Sequence, residues 1–334
     1  MSRAEAKHSR SSSGRSGGSH RAALAQTVEL AQAADRLGYT RFWVAEHHST
    51  PGIASSSPEV LVAALAARTS RIRIGSGGVL LSHYSALKVA EQFRTLEALY
   101  PGRIDLGIGR APGGMPRTAA ALRDGRPDAP ERFPEQLGEL ACFLTDTVPT
   151  GHRHEGISAV PLIDSAPQLW LLGSTDRSAQ FAAGLGAAFA FAHFINGSGG
   201  ESVVQSYKRS FRPSALGAVP EASAAVYVLC ADTDEEAGRL AASADLQLLR
   251  QEKGEFGDVP SPAEAAAYPY GKWDGLRIAE NRKRMIVGGP ETVRNRLLAF
   301  SRQYGVGEVI VVTTAYEFGA RLRSYELLAQ AMRL

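Results

Sequence analysis

The sequence predicts an α/β fold, a TIM (β/α)8-type barrel in which helices surround parallel strands. Short apolar segments alternate with amphipathic helical segments along almost the whole chain, a pattern typical of repeated β-α-β units. The strand segments, such as 41–45 and 72–81, are apolar without polar alternation. Because a strand of that kind has no face suited to water, the sheet is expected to be buried on both faces.

Each predicted element follows from its own local pattern. The strands are apolar and rich in β-branched or aromatic residues, and they span 41–45, 72–81, 103–109, 168–172, 187–194, 222–231 and 308–313. The helices show apolar periodicity and span 21–37, 58–68, 86–99, 134–145, 175–184, 201–211, 233–250, 290–304 and 320–332. Gly38 ends the first helix and Pro58 begins the second. Two excursions, 111–132 and 251–287, interrupt the alternation.

The strand count is one short of a complete barrel. The chain enters directly on a helix, so the strand that is missing is the first. Residues 1–20 are rich in Ser, Arg and Gly and are predicted to be a disordered tail, followed by a single barrel domain over 21–334. Seven strands leave two exposed edges, so the sequence predicts an incompletely closed barrel.

Composition excludes several functional classes. The net charge of +3 is spread over the chain without a stripe of basic and aromatic residues, so nucleic-acid binding is not predicted. Cys142 and Cys230 are far apart, which indicates neither a zinc site nor a disulfide framework. No apolar segment approaches the length of a membrane span, and the basic N-terminus has no apolar signal segment. These features predict a cytoplasmic protein without membrane contact.

Three chemically active residues follow the first predicted strand. Glu46, His47 and His48 stand where parallel α/β proteins place their chemistry. Neighbouring strand residues point to opposite faces, so only one histidine can face the barrel mouth. The pair could instead bind backbone carbonyls. No H-x-H or H-E-x-x-H spacing supplies further ligands, so no metal site is predicted.

Glycines mark a second candidate position. Gly75, Gly77 and Gly78 lie inside one strand, which indicates a bulge or the close approach of a flat ring to the backbone. Arg110 follows the next strand and could bind a phosphate or remain solvated. The glycines before it do not form a dinucleotide fingerprint, because Pro112 occupies the place of the third glycine.

A loop of small hydroxyl residues forms a third candidate position. Gly173, Ser174 and Thr175 end a strand, and the helix that begins there carries Ser178. A helix N-terminus with hydroxyl groups can bind an anion, and the same residues are ordinary helix caps.

Other segments have two open interpretations. The loop serines could line the mouth, or Ser57 could only cap the next helix. His83 and Tyr84, which follow the strand with the three glycines, could face substrate. The excursion 251–287 could be a lid or a solvated loop. The loop serines are Ser55, Ser56 and Ser57, and the aromatic residues of the excursion are Tyr268, Tyr270 and Trp273.

With these residues in view, the chain resembles the bacterial-luciferase-like flavin monooxygenases, and within them the luciferase-like class of oxidoreductases. The resemblance is carried by WVAEHH, by the run from GIASSSPEVLVAALAARTS to RIDLGIGRAPG, and by the closing GVGEVIVVT. It extends from Ala22 to the C-terminus. These motifs are specific for the superfamily and do not indicate a substrate.

The resemblance implies a reaction and its site. Reduced FMN would bind at the carboxyl ends of the strands and, with O2, oxygenate a small organic substrate. Catalysis would fall to His47, as an acid/base group beside the flavin, together with Glu46. The residues implied to contact the cofactor are Gly77 and Gly78 at the ring, Arg110, Gly173, Ser174, Thr175 and Ser178 at the phosphate. A separate flavin reductase and a homodimer are also implied.

Three alternatives stay open at this point. The same fold could use deazaflavin F420 and transfer hydride without oxygen. A flavin-binding protein without turnover is compatible with a missing strand. A metal-dependent barrel hydrolase could use His47 and His48.

Overall fold

Nine strands form one sheet in which every pairing between strands is parallel. The computed structural model describes the backbone of Ser2–Ala6 and residues 19–50, 52–111, 113–124 and 131–334. The strands are β1 (Ser2–Ala6), β2 (Arg41–Val44), β3 (Arg73–Leu80), β4 (Ile104–Gly109), β5 (Gln168–Gly173), β6 (Ala188–Ala192), β7 (Ala222–Cys230), β8 (Met285–Gly288) and β9 (Glu308–Val312).

The sheet closes on itself. Strands β1 to β6 lie side by side in sequence order, β9 pairs with β1, and β7 pairs with both β9 and β6. The short strand β8 pairs with the second half of β7, where Tyr227 lies opposite Met285. Eight strands therefore form a ring, and the predicted TIM-type barrel is confirmed.

The structure corrects the expectation of a missing first strand. Ser2–Ala6 pairs with β2 on one side and with β9 on the other, so the barrel is closed and has no free edges there. Its sequence, SRAEA, lacks the β-branched residues that mark a strand. Without β1, the edges of β2 and β9 would present unpaired backbone N–H and C=O groups. An extended segment pairs with these groups through its own backbone, so its side chains need not favour a strand. The disorder predicted for 1–20 is wrong for Ser2–Ala6, and residues 7–18 lie outside the described part.

Helices cover the outside of the ring. They are α1 (His20–Arg36), α2 (Pro58–Ala66), α3 (Ala86–Leu99), α4 (Pro116–Arg123), α5 (Phe133–Thr145), α6 (Asp176–Leu185), α7 (Gly200–Ser210), α8 (Asp234–Glu252), α9 (Pro262–Ala267), α10 (Asp274–Arg282), α11 (Pro290–Tyr304) and α12 (Phe318–Met332). The predicted helices are confirmed, and the second excursion contains α9, α10 and β8. Within the described ranges, no helix has both the length and the apolar character needed to cross a membrane.

Strand alternation separates two apolar cores. Phe42 packs in the large core between the strands and the helices, whereas Trp43 belongs to a smaller core inside the ring. Inside, Trp43 lies 5.4 Å from Trp170, between ring centroids, and Ile310 belongs to the same cluster. The ring interior is therefore filled by side chains and is not a channel.

Charged residues close the amino-terminal end of the barrel. The buried carboxylate of Asp105 accepts hydrogen bonds from Arg41, Arg73 and the indole nitrogen of Trp43. Burial alone would raise the pKa of Asp105, but the two arginines hold it below its usual value. Arg41 also lies over the Trp170 ring, 4.9 Å from its centroid. A ligand must therefore enter from the carboxyl ends of the strands.

Strands β3 and β4 approach so closely that glycine is required in both. A methyl group on Gly78 would lie 2.6 Å from the carbonyl oxygen of Gly107, and one on Gly107 still closer to the carbonyl oxygen of Ser76. The hydroxyl of Ser76 bonds both backbone groups of Gly107, accepting from its N–H at 3.0 Å and donating to its carbonyl at 2.9 Å. The close packing of β3 against β4 thus explains why residues 78 and 107 are glycine.

We expect Gly78→Ala to lower the free energy of unfolding by about 1–3 kcal/mol, because the new methyl overlaps the backbone of β4. The matched control is Gly238→Ala in α8, where an added methyl meets nothing within 4 Å. That change should raise stability by up to about 1 kcal/mol, since alanine favours helix. Urea unfolding followed by circular dichroism measures both. Equal stability of the two variants would show that β3 and β4 have room for a side chain.

Candidate functional site

A cavity of about 740 Å3 opens at the carboxyl ends of the strands. This size is typical of sites for small organic ligands. Its wall includes His47 after β2, Tyr227 on β7, Met285 on β8, Thr313 after β9 and Arg321 on α12. We call it the mouth cavity.

The triplet after β2 divides between two environments. Residues 46 and 48 point to one side and residue 47 to the other, as expected for extended backbone. Glu46 and His48 are buried, while His47 is half-buried and lines the mouth cavity. The prediction that a single histidine of the pair faces the mouth is confirmed, and that histidine is His47.

Hydrogen bonds from two loops fix this triplet. The His47 backbone N–H donates to the carbonyl of Ser55 at 2.9 Å, and the His48 N–H donates to the carbonyl of Gly113 at 2.9 Å. The buried Ser55 hydroxyl donates to the carbonyl of Ala45 at 2.6 Å. Ser55 therefore holds the strand end, which is a third possibility beside those considered from the sequence. Ser57 occupies the N-cap position of α2 without a side-chain cap bond.

The Glu46 carboxylate joins β2 to the segment after β3. One oxygen accepts from the Tyr84 hydroxyl at 2.7 Å and from His48 Nε2 at 2.6 Å, and the other accepts from Leu80 N–H at 2.9 Å. A carboxylate only accepts, so His48 carries its proton on Nε2. Glu46 thus ties three segments together beside His47, and the catalytic role implied for it by resemblance stays a prediction.

A polar cluster surrounds that carboxylate. The His83 ring lies edge-on to those of His48 and Tyr84, at centroid distances of 6.1 and 6.3 Å. Burial, with the hydrogen bond to Glu46, raises the pKa of Tyr84, and burial also raises the pKa of nearby Glu59. Tyr84 donates to Glu46, His83 contacts His48 and Tyr84, and neither residue lines the mouth cavity. Sequence alone could not find this cluster, because its members come from separate segments.

The glycine pair in β3 has the predicted irregularity. The register between β3 and β4 shifts between Gly77 and Val79, which is the expected bulge, and the Gly77–Gly78 peptide is cis. Leu80, two residues further, is the residue whose N–H binds Glu46. The bulge in β3 and the strand end that carries His47 are therefore both held by the Glu46 carboxylate.

The proposed phosphate residues occupy two neighbouring strand ends. Arg110 is exposed directly after β4, and β4 pairs with β5, which ends at Gly173. Beyond Gly173, the hydroxyls of Thr175 and Ser178 are 3.4 Å apart at the start of α6, where Thr175 makes no side-chain cap bond.

This set of groups fits a phosphate. A methyl on Gly173 would lie 2.3 Å from the Ser178 hydroxyl, so the turn is open only because residue 173 is glycine. The helix N-terminus, two hydroxyls and a neighbouring guanidinium are suitable phosphate ligands. Asp176 in the first turn opposes an anion, and Arg177 beside it offsets that charge.

The predicted site residues and the mouth cavity share part of the barrel rim, at the segments after β2 and β4. The residues follow β2, β3, β4 and β5, which are consecutive neighbours in the ring. The cavity wall draws mainly on the segments after β2, β4 and β9 and on β7 and α8. Of the residues predicted from the sequence as catalytic or flavin-binding, His47 is the one that lines the cavity. His47 therefore belongs both to the predicted site and to the cavity wall.

The second excursion contributes to the cavity through residues the sequence did not single out. Phe256, Gly257 and Val259, between α8 and α9, line the cavity, whereas the aromatic residues expected in the lid do not. The rings of Tyr268 and Tyr270 meet edge to face, with their centroids 4.9 Å apart, and Trp273 is exposed. In the described ranges, no three His, Cys, Asp or Glu side chains are grouped closely enough to hold a metal ion.

We expect Glu46→Gln to lower the free energy of unfolding by about 2–4 kcal/mol, because an amide cannot accept all three hydrogen bonds and leaves a buried donor unsatisfied. Glu29→Gln, on the exposed face of α1, is the control and should change stability by less than about 0.5 kcal/mol. Urea unfolding measures both. A Glu46→Gln variant as stable as the control would remove the anchoring role.

Known proteins resemble this chain over most of its length. The model of the luciferase-like monooxygenase family matches residues 6–307. A Bacillus subtilis (strain 168) protein called YwcH, which is uncharacterized, is 54% identical over 92% of this chain and 93% of its own length. The N-acetyl-S-alkylcysteine monooxygenase of the same organism is 40% identical, with 92% of each chain covered.

Solved structures are similar over the whole barrel. The structure of apo-MsnO8 superposes with a TM-score of 0.90 at 40% identity, covering 100% of this chain and 98% of that chain. Two more distant structures share the fold. They are the oxygenating constituent of 3,6-diketocamphane monooxygenase from Pseudomonas putida with FMN (20% identity, TM-score 0.69, covering 94% of this chain and 93% of its own) and an F420-dependent secondary alcohol dehydrogenase (16%, 0.67, covering 93% and 96%). The family match and the close relatives agree with the geometry, and the chain belongs to the luciferase-like monooxygenase family.

Proposed function

We propose that this chain is an FMN-dependent monooxygenase that oxygenates a small organic substrate bound in the mouth cavity. The observation that carries the proposal is the position of His47, which lies where the arc of predicted flavin-binding residues meets the cavity. A thioether such as an N-acetyl-S-alkylcysteine is the first substrate to test, since a relative at 40% identity is named for that activity.

Each predicted residue has a defined task in this proposal. Arg110, Ser174, Thr175 and Ser178 would hold the FMN phosphate, with Gly173 leaving the turn open. Gly77 and Gly78 would present backbone to the flavin ring. Bound reduced FMN would supply two electrons for O2, so that one oxygen atom enters the substrate and the other leaves as water.

His47 would manage protons at the reacting centre. Its backbone is fixed through Ser55, and Glu46 holds the neighbouring residue, so the strand end that carries the imidazole is anchored. Imidazole titrates near neutral pH and can donate or accept a proton there. The apolar side chains of Phe256, Val259 and Met285 in the cavity wall would limit water at that centre.

The cofactor is tested by binding, and the reaction by turnover. The purified chain is titrated with FMN, photoreduced FMN and F420, followed by absorbance and fluorescence. Arg110→Ala should weaken binding of reduced FMN about 3- to 10-fold, because an exposed charged contact to phosphate is lost. His47→Gln should leave binding nearly unchanged and reduce oxygenation of N-acetyl-S-methylcysteine by about 100-fold or more.

The control is Arg209→Ala, which removes an exposed arginine from α7 on the barrel exterior. Tighter binding of F420 than of reduced FMN, with substrate oxidation that needs no O2, would replace the proposal by the deazaflavin alternative. FMN binding without any substrate-dependent oxygen uptake would favour a flavin-binding protein without turnover. We propose that a separate reductase supplies reduced FMN to this chain. Because the assay contains no such reductase, reduced FMN is added after chemical reduction.

We also propose a homodimer that forms through α2 and α3. Val60 and Leu99 on these helices and the neighbouring Val160 border one groove and are 57–63% exposed. Apolar residues grouped in this way are typical of protein interfaces.

The double variant Val60→Glu/Leu99→Glu should therefore convert a dimer to a monomer in light scattering after gel filtration, because burying two unpaired carboxylates is unfavourable. Val219→Glu, at an exposed apolar residue before β7, is the control and should remain dimeric. A chain that is monomeric at all concentrations would overturn this proposal.

A further inference from the structure

A buried cation lies in the wall of the mouth cavity. Arg321 is only 2% exposed, yet it lines the cavity from the first turn of α12. Its guanidinium is hydrogen-bonded with the side chain of Tyr325, one turn further along the helix. Burial lowers the pKa of Arg321, and the contact with Tyr325 opposes that shift. An arginine nevertheless remains charged in proteins at neutral pH.

No acidic residue is found among the described residues that form the wall of this cavity. Its polar groups near β9 are neutral and include Thr313 and Thr314, which lead into α12, and Gln247 on α8. A positive charge that is shielded from water gains more from an anion than a solvated one does. The cavity therefore has a charge preference, and the preference is for a negative ligand group.

The rest of the wall is suited to an apolar ligand. Ile53, Met115, Leu248 and Phe256 contribute aliphatic and aromatic side chains to the same cavity. A ligand that satisfies both parts of the wall has a small anionic group at one end and a hydrocarbon part at the other.

The flavin phosphate does not explain this cation. The residues proposed to hold phosphate follow β4 and β5, whereas Arg321 follows β9, and β6 and β7 separate β5 from β9 in the ring. The wall around Arg321 contains none of the residues assigned to the phosphate.

We infer that the substrate of this chain carries a carboxylate and that Arg321 binds it. The hydrocarbon part of the substrate then lies along the apolar wall, and the atom to be oxygenated lies on the side of His47. This inference rests on the proposed function for the reaction, but the anion preference of the cavity stands on the wall alone.

Matched ligand pairs test the preference without catalysis. Each pair consists of a carboxylic acid and its carboxamide, which have nearly the same shape and differ in charge. Three pairs with different apolar parts serve as probes, namely N-acetyl-S-methylcysteine, hexanoate and 3-phenylpropionate with their amides. Calorimetric titration of the flavin-free chain at neutral pH should show about 10-fold or greater preference for the acid in at least one pair.

Variants assign that preference to one side chain. Arg321→Met, which keeps the length and removes the charge, should abolish the acid preference, and Arg321→Lys should keep part of it. Arg323→Met is the matched control, since Arg323 lies on the same helix and pairs at the surface with Asp232 and Glu326. It should bind all probes as the unmodified chain does. The comparison of acid with amide on the unmodified chain needs no variant. It therefore tests the anion preference of the cavity even if Arg321→Met does not fold.

Two results would overturn the inference. One is the absence of an acid preference in every pair, and the other is a preference that persists in Arg321→Met. If Arg321→Met weakens FMN binding and leaves the acid preference intact, the guanidinium serves the flavin phosphate and the inference is also wrong. Acid preference without oxygen uptake would leave the inference standing and remove the proposed function. Turnover without acid preference would leave the proposed function standing and overturn the inference.

Discussion

Parallel pairing in a closed ring is the constraint from which the rest of this structure follows. Because all strands run in one direction, their carboxyl ends meet at a single rim, and the loops that follow β2, β3, β4, β5 and β9 converge there. The opposite end is closed by the charge cluster around Asp105, and the interior is filled by Trp43 and Trp170. Ligands are thereby confined to the rim, and residues far apart in the chain become neighbours.

The buried carboxylate of Glu46 connects that architecture to the candidate site. It binds the backbone next to the glycine bulge through Leu80 and binds the residue next to His47 through the His48 ring. The same carboxylate accepts from Tyr84, so three segments are tied at one point. Such a group is costly to bury unless all its hydrogen bonds are made, and here its two oxygens accept three. The frame beneath His47 is thus fixed by polar contacts, and much of the cavity wall beside it is apolar.

The candidate site was predictable where local sequence sets local structure. The strand-end triplet, the glycine bulge and the hydroxyl loop each stand directly after or within a strand, so their place at the rim follows from the fold class. The roles of Tyr84, His83 and Ser55 were not predictable, because each depends on a partner in another segment. Arg321 gave no signal either. An arginine on an amphipathic helix is usually solvated, and only the packing of α12 against the rim buries it.

By itself, the sequence determined the alternation of strands and helices, the parallel sheet buried on both faces, and the residues at most strand ends. These features depend on periodicity and turn chemistry, which are local. The tertiary structure decided the rest. Ser2–Ala6 has no strand signal, and its pairing exists because β2 and β9 both present open backbone edges. Closure of the ring, the shared position of His47 in the predicted site and in the cavity wall, and the burial of Arg321 all arise from contacts between distant segments. Local pattern carries no information about such contacts.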